Sequence, residues 1–144
     1  MQRFKYVSHT ADMAFIGYGS TLRMAISNSA LALLNIMLEI NSISKDKSRQ
    51  ASIAIKERAA TPEELVWFTL QDVLSKIDAR KLNAFQFDVL SIKENGKMLK
   101  LEGKLLYKKS RQDHSLLSVK AVTPHELTVK KQNGIYAIHV VVDV

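Results

Sequence analysis

Two aspartates stand beside apolar segments that have the pattern of buried strands. Asp12 precedes the apolar run 13–18, and Asp143 follows three consecutive valines near the end of the sequence. A buried carboxylate is costly unless something pairs with it, and two carboxylates that face each other resist joint ionisation. If the two strand ends meet, a hard divalent cation such as Ca²⁺ or Mg²⁺ would relieve both costs, with the terminal carboxylate of Val144 as a further ligand. The alternative is that Asp12 caps a turn and Asp143 is merely solvated.

The other candidate polar residues are less specific. Lys120 is either an exposed lysine of a strand or a cation that steadies an acidic pair or contacts phosphate. The histidines are too dispersed to indicate a zinc site; they are His9, His114, His125 and His139. The absence of cysteine excludes disulfides, thiolate metal sites and cysteine nucleophiles.

A phosphate-binding loop and a hydrolase nucleophile are both disfavoured by their motifs. Gly17-Tyr18-Gly19 precedes a helix but lacks the third glycine and the Lys-Ser/Thr pair of a phosphate loop, which favours a plain strand-to-helix turn. The G-x-S-x-G pattern of a nucleophile elbow is missing.

The charge balance restricts the partners without choosing one. The chain has 144 residues, a formal charge of +7 and 47% hydrophobic residues, which predicts one domain over residues 1–144. A basic chain is attracted to nucleic acid or to an acidic partner, although solvated lysines also explain the charge. The sequence contains no apolar run of membrane-spanning length and no signal-peptide pattern, so we expect a soluble cytoplasmic protein without a membrane partner.

Periodicity and turn signals predict an α+β fold. Helical spacing covers residues 22–38 and 62–77, and Thr61-Pro62-Glu63-Glu64 supplies an N-cap, a proline at the first position and a capping box. Residues 41–50 are predicted to be a loop. Period-two patterns predict strands that mostly follow one another through hairpins, with Asn95-Gly96 as one turn; they cover residues 4–7, 13–18, 51–58, 85–92, 99–105, 117–122, 127–129 and 135–144. We therefore predict two layers, an antiparallel-rich sheet with two helices packed on one face.

Several blocks together resemble the archease family. Ser8-His9-Thr10-Ala11-Asp12, followed by an apolar strand and Gly19, resembles the opening of these proteins. The resemblance continues in the same order, with a helix that begins Glu63-Glu64-Leu65-Val66-Trp67, then Val119-Lys120-Ala121-Val122-Thr123 with His125, and finally Val140-Val141-Val142-Asp143. The chain departs from the family in two places. Pro124 replaces the usual tyrosine, which puts the local strand pairing in doubt, and the loop 107–114 is basic where relatives carry acidic residues.

The resemblance implies a function. Archeases are small non-enzymatic cofactors of RtcB-type RNA ligases, which join RNA ends, notably tRNA exon halves, using GTP through a guanylylated histidine. It implies that this protein promotes ligase guanylylation and multiple turnover in tRNA splicing, with the ligase as partner and tRNA contacted indirectly or weakly.

The resemblance also implies a metal site. Its ligands would be Asp12, Asp143 and oxygen from Val144, with Ca²⁺ as the expected ion and Mg²⁺ or Mn²⁺ as alternatives. Lys120 matches a position that is important to activity in the family. His9 is expected to orient the site by hydrogen bonding rather than to bind the ion directly.

Two other classes remain open on the residues alone. A free-standing RNA-binding adaptor or chaperone would use the basic charge and would bind RNA without a ligase, in a salt-sensitive way. A metal-dependent hydrolase would use Asp12 and Asp143, but two carboxylates and one ion are few for phosphoryl chemistry, and His9 is the sole candidate base.

Overall fold

The computed structural model describes residues 1–9 and 12–144. Thr10 and Ala11, the middle of the Ser8–Asp12 block, lie outside the described residues. The described elements are, in chain order, β1 (Phe4–Val7), β2 (Met13–Gly19), α1 (Leu22–Met37), α2 (Ile40–Lys45), β3 (Gln50–Ala59), α3 (Pro62–Arg80), β4 (Asn83–Asn95), β5 (Met98–Lys108), β6 (Ala121–Gln132) and β7 (Ile135–Asp143).

The strands form two antiparallel sheets. The first has four strands in the order β1-β2-β7-β6, and the second has three in the order β3-β5-β4. Two of the neighbours, β4 with β5 and β6 with β7, are joined by short hairpin turns that contain glycines at positive φ, Gly96 and Gly134. The pairing of β2 with β7 instead joins the two ends of the chain.

The two long helices connect the sheets. Helix α1 packs against β2 and β7 of the four-stranded sheet and against β4 of the other, and α3 packs against β6 and β3. Each helix therefore contacts both sheets, which explains why apolar and small residues occupy most of the circumference of α1. The core lies along this helical layer and includes Phe15, Leu33, Leu70 and Phe87.

The α+β class and the antiparallel strands are confirmed. The strands are divided between two sheets, where the sequence pattern had suggested one, because period-two patterns do not specify which strands pair. The loop predicted at 41–50 is wrong in its first half, since Ile40–Lys45 is a short helix that buries Ile43. The strand predicted from residue 117 begins at Ala121, and the preceding residues run outside the sheet.

Thr61 is the N-cap of α3 as predicted, but the Glu64 side chain accepts from the Thr61 hydroxyl and not from the backbone N–H of a capping box. The backbone N–H of Glu64 donates to the Thr61 hydroxyl at 3.1 Å, and that hydroxyl donates to the Glu64 carboxylate at 3.2 Å. Thr21 caps α1 in the same way, through the N–H of Met24. Such caps satisfy backbone donors that have no partner within the helix. In the described part of the chain, no helix is both long and apolar enough to cross a membrane.

A carboxyl pair between β3 and α3 gives the stability of the fold a pH dependence. Burial, and then the neighbouring Asp72 carboxyl, raise the pKa of Glu57 from 4.5 to about 7, although Lys76 opposes the shift. The Lys76 ammonium lies 2.6 Å from Asp72. Because the folded pKa lies above the unfolded one, the folded state binds more protons between these two values. The contribution of Glu57 to the free energy of unfolding is therefore largest below pH 4.5 and is lost as the pH rises through 7.

Replacing Glu57 by glutamine is expected to raise the free energy of unfolding relative to the unaltered protein, and to raise it more at pH 8 than at pH 5. The variant removes a charge that the folded state disfavours, and the gain is about 1 kcal/mol because the side chain is partly solvated. Urea unfolding of both proteins at the two pH values measures it. Glu94→Gln, an exposed carboxylate on β4, is the matched control and should show no such difference. If the two substitutions changed the free energy of unfolding by the same amounts at pH 5 and pH 8, the raised pKa of Glu57 would be contradicted.

Candidate functional site

One end of the four-stranded sheet brings the candidate site residues together. Met13 pairs with Val142, and Ala121 pairs with Asp143. Asp12 therefore directly precedes β2 at the end where β7 finishes, and Lys120 directly precedes β6 at the same end. The backbone N–H of Lys120 donates to the Asp143 carbonyl at 2.7 Å. We call Asp12, Asp143, Val144 and Lys120 the acidic end of the sheet.

Strand alternation sets the direction of the two carboxylates. Val140 and Val142 of β7 and Phe15 of β2 are fully buried and face the helical layer. Asp143 lies one residue beyond Val142 and therefore faces the other side of the sheet. Asp12 directly precedes Met13, which pairs with Val142; if the register continued by one residue, Asp12 would lie opposite Asp143 on that outer side. Asp12 is half-buried, whereas Asp143 and Lys120 are exposed.

The donors at this end suit a hard cation. Carboxylate oxygens of Asp12 and Asp143 and backbone oxygen at Val144 are the ligand type that Ca²⁺ and Mg²⁺ prefer, and waters complete such shells. Val144 packs partly against the core, and this contact fixes the position of its backbone at the end of β7. No cluster of three or more His, Cys, Asp or Glu side chains with metal-site geometry occurs among residues 1–9 and 12–144. A cation here would thus rest on two side chains, backbone oxygen and water.

His9 contacts a residue that the sequence did not single out. Its Nε2 lies 3.0 Å from the Glu126 carboxylate. Glu126 also accepts at its carbonyl from His139 Nδ1, at 3.1 Å. The hydrogen bond with His9 is the main reason that the pKa of Glu126 is lowered, and the charge of nearby histidines lowers it further. This contact ties the segment after β1 to β6, on the outer side of the sheet.

The position of Glu126 follows from an irregularity in β6. The register with β7 shifts between Thr123 and Thr128, so the residues between them have no regular partners. Pro124 lies in this stretch, as expected from its missing donor, and Glu126 has a φ of +65°. A positive φ redirects a side chain and is unusual outside glycine. Pro124 is the signal in the sequence that marks this bulge, but nothing there identifies Glu126 as the partner of His9.

The remaining histidine of interest lies away from the acidic end. His114 is buried, and its Nε2 lies 3.1 Å from Asp46. Hydrogen bonds from Ser110 and Ser48, and then from His114, hold the pKa of Asp46 well below its usual range. Lys108 donates to the carbonyl of the same aspartate at 2.8 Å. These contacts anchor the basic loop 107–114 to the segment after α2, so they explain His114 as structural.

Comparison with known proteins gives the family. The archease protein family (MTH1598/TM1083) matches residues 4–144. A protein archease of Sulfolobus acidocaldarius is 32% identical and is aligned over 100% of both chains. This chain belongs to the archease family.

Solved structures show the same fold. The solution structure of protein 1598 of Methanobacterium thermoautotrophicum superposes with a TM-score of 0.85 at 24% identity, over 100% of both chains. A crystal structure from Thermotoga maritima, described as an archease and possible chaperone, gives a TM-score of 0.54 at 21% identity. It covers 97% of this chain and 96% of that one.

Proposed function

We propose that this protein is a non-enzymatic activator of an RtcB-type RNA ligase in tRNA splicing. It would promote guanylylation of the ligase by GTP and so allow multiple turnover. The observation that supports the proposal is that Asp12, Asp143 and Lys120 lie at the same end of one sheet, on a chain that belongs to the archease family.

The charge at the acidic end explains how such a surface could act. Two carboxylates without a counter-ion repel both each other and any phosphate. A bound divalent cation, Ca²⁺ in the first place and Mg²⁺ or Mn²⁺ otherwise, would be held by Asp12, Asp143 and backbone oxygen at Val144. With the ion bound, the charges of Asp12 and Asp143 are balanced, and the ion and the exposed Lys120 ammonium can attract anionic groups. The same residues then favour a partner that presents phosphate or carboxylate groups.

Activation requires that the surface distinguish two states of the ligase. A cofactor shifts an equilibrium by no more than its differential affinity for the two states. We infer that the acidic end binds the guanylylation-competent state better than the state left after a round of ligation. His9, through Glu126, would brace the segment that leads into Asp12 and so fix the distance between Asp12 and Asp143.

The test is a ligation assay with the cognate ligase, GTP, a divalent cation and RNA halves. Joined RNA should exceed one product per ligase when this protein is present and should stall near one when it is omitted. Labelled GTP should show faster guanylylation of the ligase in the same comparison. Equal turnover with and without the protein would refute the proposal, and joining by the protein without ligase would refute its non-enzymatic part.

A further inference from the structure

The outer side of the three-stranded sheet is strongly basic. The inner side of β3, β5 and β4 packs on the helices, and the outer side faces solvent. Alternation along the strands places six cationic residues on the outer side. Lys108, at the end of β5, donates to the Asp46 carbonyl, and we call the other five the basic face: Lys56, Arg58, Lys93, Lys100 and Lys104. Two carboxylates, Glu102 and Asp88, lie among them.

The register concentrates positive charge in one row. Arg58 of β3 pairs with Lys100 of β5, and Lys100 pairs with Lys93 of β4. Three cations therefore lie side by side across all three strands, and we call them the cationic row. In the next two outward rows along β5, a carboxylate offsets the charge, since Lys56 is opposite Glu102 and Lys104 is opposite Asp88. Like charges directly opposite each other on a sheet are destabilising.

The cations of this face have no close anionic partner. The ion pairs within 4.0 Å in the described part of the chain are Lys76 with Asp72 and two histidine–carboxylate pairs, and none involves the basic face. The cationic row thus costs stability in the isolated protein. A polyanion that lies across the three strands would remove this cost and gain charge-assisted hydrogen bonds.

We propose that the basic face binds the phosphate backbone of RNA. Nucleic-acid interfaces are polar and very positive, whereas the centres of protein interfaces are apolar and depleted of lysine. A membrane-binding surface would need a cluster of large apolar residues to insert. The apolar residues of this side are instead interspersed with charges; they are Ala54, Met98, Leu106 and the exposed Leu90 of the β4 bulge. The aromatic residues of the fully described strands β3, β4 and β5 are engaged with the core, since Phe87 is buried and Phe85 and Tyr107 pack partly against it, so the face offers no free ring for base stacking. Binding of the RNA therefore depends on contacts to its phosphates and not on its base sequence.

The basic face and the acidic end belong to different sheets. Each sheet packs on the helical layer through its inner side, so the two outer sides are separate surfaces. RNA on the basic face would therefore not occupy the acidic end, which belongs to the other sheet. The choice of RNA over DNA rests on the proposed function, but binding itself needs no ligase. A failure of ligase activation and a failure of RNA binding are therefore separable.

The test is to neutralise the cationic row with the triple change Arg58→Gln, Lys93→Gln and Lys100→Gln. Fluorescence anisotropy of a labelled oligouridine at about 50 mM salt should show an affinity loss of about 10- to 100-fold. The slope of log affinity against log salt should fall by about 2, since each single-strand phosphate contact contributes about 0.7. Because like charges are removed, Tm should stay unchanged or rise. Because the contacts are to phosphate, an equivalent oligodeoxyuridine should bind about as tightly as the RNA.

The matched control removes the same charge elsewhere, with Lys5→Gln, Lys47→Gln and Lys130→Gln, three exposed residues outside the basic face. It should lose less than about threefold in affinity, as expected for distant charges at this salt. Equal losses in the two triple variants would refute a specific face, and so would an unaltered salt slope. Displacement of the RNA by polyglutamate or by anionic vesicles at equal charge would overturn the RNA assignment in favour of that other partner.

Discussion

Changing either Asp12 or Asp143 to asparagine should abolish stimulation of the ligase while the fold survives. The two carboxylates lie at the same sheet end, and no cluster of three or more acidic, histidine or cysteine side chains that could hold a metal occurs among residues 1–9 and 12–144. Loss of a group that merely supports a metal ligand costs about 10- to 100-fold in affinity or activity. Loss of a direct ligand is expected to cost at least as much. Multiple-turnover ligation and guanylylation of the ligase are the activity readouts.

Thermal unfolding separates a metal ligand from a simple contact residue. A ligand that binds only the folded protein stabilises it by about 2.7 kcal/mol at 100 times its Kd. Ca²⁺ should therefore raise the Tm of the unaltered protein and leave that of either asparagine variant almost unchanged. Without the ion, the variants should be at least as stable as the unaltered protein, because repulsion between the carboxylates is relieved.

Asp78→Asn is the matched control for both experiments. Asp78 is an exposed aspartate near the end of α3, far in sequence from the strands that build the acidic end. This variant should stimulate the ligase fully and keep the Ca²⁺-dependent rise in Tm. Full stimulation by both Asp12→Asn and Asp143→Asn would refute the role proposed for the acidic end. An equal Ca²⁺ effect in these variants would place the ion elsewhere.

Local signals in the sequence predict the elements well and their assembly poorly. The capping residues at Thr61 and the Asn95-Gly96 turn act within a few residues, so they can be identified without a structure. The division into two sheets depends on pairing between residues more than 100 positions apart, as for Met13 and Val142. Helix α2 was missed because its six residues are mostly polar and bury Ile43 alone.

The same distinction applies to the functional residues. The cost of an unpaired carboxylate beside a buried strand drew attention to Asp12 and Asp143 separately, and the sheet then placed both at one end. Glu126 was missed because its position depends on an irregular backbone with positive φ. The cationic row was also hidden. A bulge in β4 between Val89 and Ser91 shifts the register that aligns Lys93 with Lys100.

Gly17 illustrates a residue whose role can be assigned only from packing. Beside Tyr18-Gly19 it resembled part of a phosphate loop, yet it lies inside β2, where helix α1 crosses the strand closely. A Cβ atom at Gly17 would lie 2.8 Å from the Cα and the N of Ser29, and closer still to the Ser29 hydroxyl. That hydroxyl donates to the Ala25 carbonyl within the helix. The glycine therefore sets the distance between strand and helix.

Gly17→Ala is accordingly expected to destabilise the fold by about 3 kcal/mol, the upper end of the usual cost of overpacking. For a chain of this size, that lowers Tm by about 10 °C. The added Ser29→Ala change should restore part of the loss, because it removes the hydroxyl but leaves the helix backbone in place. Gly134→Ala is the control, since no atom lies within 4 Å of its Cβ. There, the positive φ alone should cost about 1 kcal/mol. Complete rescue by Ser29→Ala, or equal losses at the two glycines, would show that the helix backbone can move away and that Gly17 does not set its distance.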